Sequence, residues 1–275
     1  MKLTMSDGVE LYLETRGDPK NRLVLCLHGF PQSSHAWLAE AERLAAEGFY
    51  AVAPDLRGYG KSDKPAAVVA YQGTRLALDI KEIISGLGHQ RALVVSHDWG
   101  AVIGWLVAAL HPEVVERLVI LNGPHPDKIK KALKSSAAQR KRSWYIFFFQ
   151  LPVLPELMLR RKQTMRLILR GAKADAFSND DIAYYSDAAR APGAARAMIN
   201  YYRASARFGV STLPKIAAPT LVIWGEQDVA LGTELLENLD QVASDLQIER
   251  IPSASHWVME DAPDEAHAAI RAFLA

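Results

Sequence analysis

Short apolar runs alternate with amphipathic stretches over most of this chain. Residues 23–27 read Leu-Val-Leu-Cys-Leu, and similar runs recur at 50–53, 92–95, 117–121 and 220–224. Runs of this length with little polar interruption suit strands covered on both faces of a parallel sheet. Between them lie helical patterns: one from a cap at Ser33 or Ser34 to about Ala46, one over 74–87 stopped by Gly88, and one over 101–110. At the N-terminus, Asp7-Gly8 separates two stretches of alternating character and predicts a hairpin with strands near 2–5 and 9–15. The rhythm stops after 121: residues 127–209 contain no strand pattern and are rich in Ala, Arg, Lys and aromatic residues. It resumes with the strand at 220–224, a helix near 231–242, a strand near 246–251 and a last helix near 262–274. This order predicts an α/β domain with a mostly parallel sheet and helices on both faces, formed by 1–126 and 210–275. The all-helical block 127–209 interrupts it. A block inserted after a strand's carboxyl end sits over the sheet mouth, where open α/β folds bind ligands, so it is a candidate cap.

The strand at 92–95 runs into Ser96-His97-Asp98-Trp99-Gly100 and then into the 101–110 helix. A strand, a sharp turn with small residues two before and two after its centre, and a helix form the nucleophile elbow pattern. The central residue here is Asp98, not serine. A carboxylate at that apex attacks a saturated carbon and becomes an ester itself, whereas a serine would form an acyl-enzyme. The competing reading is a helix N-cap, which Asp favours. Small Ser96 and Gly100 favour the elbow. Hydrolysis of such an ester needs an oxyanion site, and the backbone N–H groups of Trp99 and Phe30 are placed for it, Phe30 lying in His28-Gly29-Phe30-Pro31. It also needs a base. Of the eight histidines, His256 lies between the last strand and the last helix, where the chain order nucleophile, acid, histidine expects it. The orienting acid should follow the 220–224 strand, where Asp228 is the choice and Glu226 the runner-up. Asn122, at the alternative place after the 117–121 strand, is not acidic. His28 and His97 are expected to be structural hydrogen-bonding groups.

Composition narrows the picture further. Hydrophobic residues are 49% and charged residues 23%, with a net charge of +1, so no global field favours nucleic acid or a membrane. The basic run from Lys128 to Arg142 reads as a solvated helix face, with an anionic surface as the alternative. The only cysteine, Cys26, is expected inside a strand and has no disulfide partner in the chain. No signal-like N-terminus and no uninterrupted apolar stretch of ~18 residues is present, so a soluble, cytoplasmic protein is expected. No Cys/His cluster has zinc-site spacing, and neither a metal nor an organic cofactor is expected.

The chain resembles the epoxide hydrolases of the α/β-hydrolase fold over nearly its whole length. The resemblance rests on His28-Gly29-Phe30-Pro31, Asp55 to Ser62, His97-Asp98-Trp99-Gly100, Leu121 to Pro126, and Trp224 to Asp228 with His256. It implies an eight-stranded sheet under a helical cap. It also implies two cap tyrosines aimed at the epoxide oxygen. Ser143-Trp144-Tyr145 and Asn200-Tyr201-Tyr202-Arg203 match their contexts, which designates Tyr145 and Tyr202. Phe30, Trp99, Trp144 and Trp257 are the candidate substrate-pocket walls, and the expected partners are an epoxide and water, with the chain a monomer or homodimer. Ser96 departs from the family, which has glycine there; the elbow is expected to survive, with local tightening or an extra hydrogen bond. Haloalkane dehalogenases share the Asp-Trp pair, but many use an asparagine where Phe30 stands. Fluoroacetate dehalogenases need arginines just after the nucleophile, and a serine esterase would need Ser96 at the apex. A non-catalytic binder would have no use for an acid–base pair.

Overall fold

In the central strands the apolar residues divide by parity. Val24 and Cys26, Ala51 and Ala53, Leu93 and Val95 pack in one layer; Leu25 and Leu27, Val52 and Val94 pack in the other. Successive side chains of a strand point to opposite faces, so a fully apolar run supplies two cores at once. The computed structural model describes residues 1–275 apart from Ala172 and Ser211. Its strands are β1 (Lys2–Thr4), β2 (Glu10–Arg16), β3 (Leu23–Leu27), β4 (Tyr50–Pro54), β5 (Ala92–His97), β6 (Val115–Leu121), β7 (Thr220–Gly225) and β8 (Leu246–Ile251). They form one sheet in the order β1-β2-β4-β3-β5-β6-β7-β8. β2 runs antiparallel to both β1 and β4, and the pairs from β4 to β8 are parallel.

Helices α1 (Leu38–Ala46), α2 (Gly73–Gly86) and α3 (Trp99–Leu110) follow β3, β4 and β5. Seven more lie between β6 and β7: α4 (Pro126–Ser135), α5 (Ala137–Arg142), α6 (Trp144–Phe148), α7 (Leu154–Leu159), α8 (Lys162–Ile168), α9 (Asn179–Arg190) and α10 (Ala194–Phe208). The chain ends with α11 (Val258–Asp261) and α12 (Pro263–Leu274). One core lies between the sheet and α1 and α12; the other packs α2 and α3 on the opposite face and continues among the helices between β6 and β7. Cys26 is fully buried in β3. Among the described residues, no helix is long and apolar enough to cross a membrane. Because β4 and β5 flank β3 on opposite sides, the strand order reverses at β3. The carboxyl ends of β3 and β5 therefore open a crevice at the switch point, the usual ligand position in such sheets.

One expected element is absent. Residues 231–242 do not form a helix but two single 3₁₀ turns, Thr233–Leu236 and Leu239–Gln241. Asn238 sits between them with φ of 54°, in the left-handed region that breaks a right-handed helix. The Lys128 ammonium donates to the carbonyls of Glu237 and Asn238 at 3.0 and 2.6 Å, so a lysine of α4 takes up carbonyls that a continuous helix would use. The predicted helix from Ser33/Ser34 begins as a 3₁₀ turn, Ser34–Trp37, before α1.

A buried arginine ties the two halves of this architecture together. Arg57, in the loop after β4, has a fully buried side chain and grips Asp79 of α2 with two bonds of 2.8 and 2.7 Å. Its backbone carbonyl accepts the Tyr201 hydroxyl of α10 at 2.8 Å. Removing one member of a buried pair strands the other charge in a low-dielectric interior. Asp79→Ala leaves Arg57 only the partly exposed Asp7, at 2.9 Å, and is therefore expected to destabilise the fold by about 3 kcal/mol, read as a lowered midpoint in urea denaturation.

Candidate active site

Asp98 lies at the apex between β5 and α3, with φ of 50° and ψ of −117°. A non-glycine residue in that region is strained and persists only where its surroundings enforce it. Enforcement here is steric. A Cβ on Gly100 would overlap the carbonyl groups of Leu27 and His28, and one on Gly29 would overlap the Asp98 side chain. Both approaches need glycine. Ser96 fits because Gly104 of α3 faces it: a Cβ there would come within 2.7 Å of the Ser96 hydroxyl. That hydroxyl donates to the Val119 carbonyl at 2.8 Å, the extra hydrogen bond expected at this off-pattern position. Although Asp98 occupies the N-cap of α3, its side chain caps nothing. Its Oδ1 instead accepts the Phe30 N–H at 2.6 Å.

His256 stands between two carboxylates. Its Nδ1 meets Asp228 Oδ2 at 2.8 Å, and its Nε2 lies 3.5 Å from Asp98 Oδ2. Burial opposes a charge on the imidazole, but Asp228 and then Asp98 outweigh it and push His256 up to about 10. Burial likewise opposes ionisation of Asp98, and His256, His97 and the Phe30 N–H more than offset it, so its carboxyl lies below the usual range. Asp228 is held by the Ala230 and Leu231 N–H groups at 2.7 and 2.9 Å and by the Asn122 amide at 2.9 Å. Glu226 turns away to pair with Arg250. His97 donates from Nε2 to the His256 carbonyl at 2.8 Å, and burial lowers it to about 4, so its ring stays neutral. His28 accepts the Leu56 N–H at 3.0 Å. Both flanking histidines thus make structural hydrogen bonds.

A cavity of about 740 Å³ opens above Asp98 and His256. Phe30, Tyr145, Tyr202 and Trp257 are among its walls, and Trp144 stands at its mouth, 62% exposed. Tyr145 of α6 and Tyr202 of α10 meet edge to face with ring centroids 5.9 Å apart. Burial, then the Asp98 charge, raises both phenols above their usual range, so both keep their protons at neutral pH. Phe148 and Phe149 line the cavity while Phe147 faces solvent. The Trp99 ring packs edge-on against Tyr201 and Tyr202 at 5.5 and 5.0 Å, and its side chain hydrogen-bonds the Tyr202 phenol.

Three supporting groups escaped the sequence reading. Asn122 takes the place where an acid was sought and serves Asp228 instead: its Oδ1 accepts the Gly225 N–H at 2.7 Å while its amide reaches the carboxylate. Gln139 of α5 is fully buried; it donates to the Ser143 hydroxyl and the Ala230 carbonyl, both at 2.8 Å, and accepts the Gly232 N–H at 3.0 Å. It therefore joins the segment carrying Tyr145 to the loop carrying Asp228. Glu260 of α11 accepts the Gln32 amide at 2.6 Å, bridging the His256 and Phe30 segments, and burial pushes it up to about 7. The Asn122-Gly123-Pro124 sequence at a strand end was a signal for the first; a lone glutamine or glutamate carries none.

The same arrangement of fold and residues invites comparison with known proteins. A family model described as the alpha/beta hydrolase fold matches residues 22–263. Epoxide hydrolase 3 of Xenopus tropicalis is 33% identical over 284 residues, covering 97% of this chain and 75% of its own. Epoxide hydrolase 4 of Mus musculus is 33% identical over 280 residues, covering 97% and 77%. The crystal structure of Bacillus megaterium epoxide hydrolase in complex with an inhibitor aligns with a TM-score of 0.90 and 30% identity, over 100% of this chain and 99% of that one. An elbow with aspartate at its apex, in a sheet of this order and with relatives matching over nearly its full length, leads to one assignment: the chain belongs to the α/β-hydrolase fold family, among its epoxide hydrolases.

Proposed function

We propose that this chain hydrolyses an epoxide to a vicinal diol through a covalent ester on Asp98. The observation that carries this reading is the pair of protonated phenols, Tyr145 and Tyr202, sharing a cavity with Asp98 and His256. In this reading 1–126 and 210–275 form the catalytic core, and 127–209 form a cap that contributes the phenols. Tyr145 and Tyr202 hydrogen-bond the epoxide oxygen. Asp98 Oδ2 attacks a ring carbon, the carbon–oxygen bond breaks, and the alkoxide takes a proton from a phenol. The product of this step is a hydroxyalkyl ester.

The second step needs His256 neutral, and the first step arranges that. In the free protein the imidazolium faces two carboxylates. Alkylation turns Asp98 into a neutral ester and removes one of them, so His256 loses affinity for its proton as its role as base begins. The released proton restores the phenol, with water as carrier. Neutral His256 then deprotonates a water that attacks the ester carbonyl carbon. The Oδ1 side of that carbonyl already rests on the Phe30 N–H, and the Trp99 N–H is the second proposed donor. One such donor contributes on the order of 10²–10³ in rate. Collapse breaks the ester bond between the Asp98 carbonyl carbon and the alkyl oxygen. The leaving oxygen takes the proton of the newly added hydroxyl, so the diol departs, Asp98 returns as a carboxylate and His256 keeps the proton taken from water.

Dehalogenation is the nearest alternative chemistry. A departing halide needs N–H donors facing the nucleophile, yet Phe30 offers no side-chain donor and the Trp99 indole N–H is already engaged by the Tyr202 phenol. Pure binding leaves the Asp228–His256–Asp98 line without a purpose.

Three measurements check this scheme. His256→Gln should lower turnover at least about a hundredfold and let the ester accumulate, seen in a peptide mass spectrum as Asp98 heavier by one intact epoxide. An unmodified Asp98 in that variant, incubated with styrene oxide, would sink the two-step route. The double change Tyr145→Phe/Tyr202→Phe should abolish diol formation; bromide release from a bromoalkane by the unaltered protein would instead favour dehalogenation. In an NMR titration the His256 ring should stay protonated through neutral pH and titrate far above an ordinary histidine, and Asp98→Asn should lower its midpoint. The sign for stability follows: the folded value is raised, so the stabilisation from this proton is complete below about pH 6.5 and is lost as pH rises toward about 10.

A further inference from the structure

The net charge of +1 hides a strong segregation. Residues 128–173 carry thirteen Lys and Arg against one acid, Glu156, so this stretch is +12 and the rest of the chain is −11. Glu156 is already spent on Arg203 of α10, at 2.6 Å. Of the thirteen cations only Arg142 has a carboxylate partner among the described residues, Glu234 at 3.3 Å. The same stretch exposes large apolar side chains: Trp144, Phe147, Val153, Leu157 and Leu167 are 51–73% exposed.

These features meet at the cavity mouth. Trp144, Met158 and Leu167 of the cap, with Val229 of the core, both line the cavity and stand exposed, so they form its rim. Lys141 and Arg142 immediately precede this rim at Trp144; Arg160, Arg161 and Lys162 join the helices bearing Met158 and Leu167, and Arg170 lies on the rim itself. Cations that, Arg142 aside, lack a carboxylate partner among the described residues, set around protruding apolar groups, are the composition that binds anionic bilayers, with apolar groups entering the headgroup boundary and cations reaching lipid phosphates. Nucleic acid would use the charge but leave Leu157, Leu167 and Val153 unemployed. A second copy presenting the same face would set +12 against +12.

We infer that the cap docks on the surface of an anionic lipid bilayer with the cavity mouth turned toward it. An apolar substrate dissolved in the bilayer then enters without crossing water; that consequence, unlike the docking, rests on the proposed epoxide hydrolysis. Vesicle flotation tests the docking. The protein should float with phosphatidylcholine–phosphatidylglycerol vesicles and not with phosphatidylcholine alone, with binding weakened by salt. Binding should shift tryptophan emission to the blue, and Trp144→Phe should remove the shift, since Trp144 is the exposed tryptophan. The triple change Lys141→Gln/Arg161→Gln/Lys162→Gln should weaken vesicle binding about a hundredfold, roughly fivefold for each charge. It should leave turnover of water-dissolved styrene oxide unchanged and lower turnover of an epoxide carried in anionic vesicles. Failure to float with anionic vesicles, or flotation indifferent to the triple change, overturns the inference. So does binding to an oligonucleotide but not to vesicles, or sedimentation as a dimer that buries Trp144. Loss of all epoxide turnover with vesicle binding intact would count against the enzymatic reading alone.

Discussion

One imidazole held between two buried carboxylates is the interaction on which the rest of this site depends. Each partner is fixed by a different means. Asp98 is set by a strained backbone reversal that leaves no room for a side chain on Gly29 or Gly100. Asp228 is set by two backbone N–H groups and the Asn122 amide. His256 is set through its own carbonyl, which receives a hydrogen bond from a neutral His97. Two negative charges and one positive charge leave an excess that the Phe30, Ala230 and Leu231 N–H dipoles absorb, and desolvation strengthens each of these interactions. The same coupling gives the proposed mechanism its order: neutralising one carboxylate changes the imidazole between them.

The helices above the sheet are joined to this centre by polar side chains with buried partners. Gln139 links the Tyr145 segment to the Asp228 loop, and the Tyr201 hydroxyl reaches the carbonyl of Arg57, itself locked to Asp79. Arg203 gathers the carbonyls of Phe149 and Leu151 and the Glu156 carboxylate, which holds α10 against the segment that follows α6. Tyr202 thus sits on a helix fixed from two sides. Groups placed this way lose little freedom when a ligand arrives, which favours preorganised hydrogen bonding over induced assembly.

Much of this was legible in the sequence because the relevant signals are local. Apolar runs of strand length, the turn residues after them and the order of strand, turn and helix identify the sheet, the elbow and the positions of His256 and Asp228. Signals that depend on distant partners were not legible. The stretch 231–242 has helical composition, yet Lys128, more than a hundred residues earlier, takes two of its carbonyls. Asn122 looked like an unoccupied acid position because its role lies in a hydrogen bond to a residue on the next strand's loop. Trp99 follows Asp98 directly, yet which way its ring turns, toward Tyr201 and Tyr202, is set by the packing of α3 against α10.

By itself, then, the sequence determined the fold class and the aspartate at the elbow and put His256 and Asp228 in the loops after the last two strands, while the pair of tyrosines was what the family resemblance implied. Backbone period, steric limits on turns and chain order are properties of neighbouring residues. Only the tertiary structure decided that Asp98 binds the Phe30 N–H rather than capping α3, that Glu226 points to Arg250, and that Tyr201 turns its hydroxyl to the Arg57 carbonyl. Those choices turn on distances and side-chain directions between segments far apart in the chain. The same holds for charge: a total of +1 is read from composition, but where the cations stand relative to the cavity mouth is set by packing.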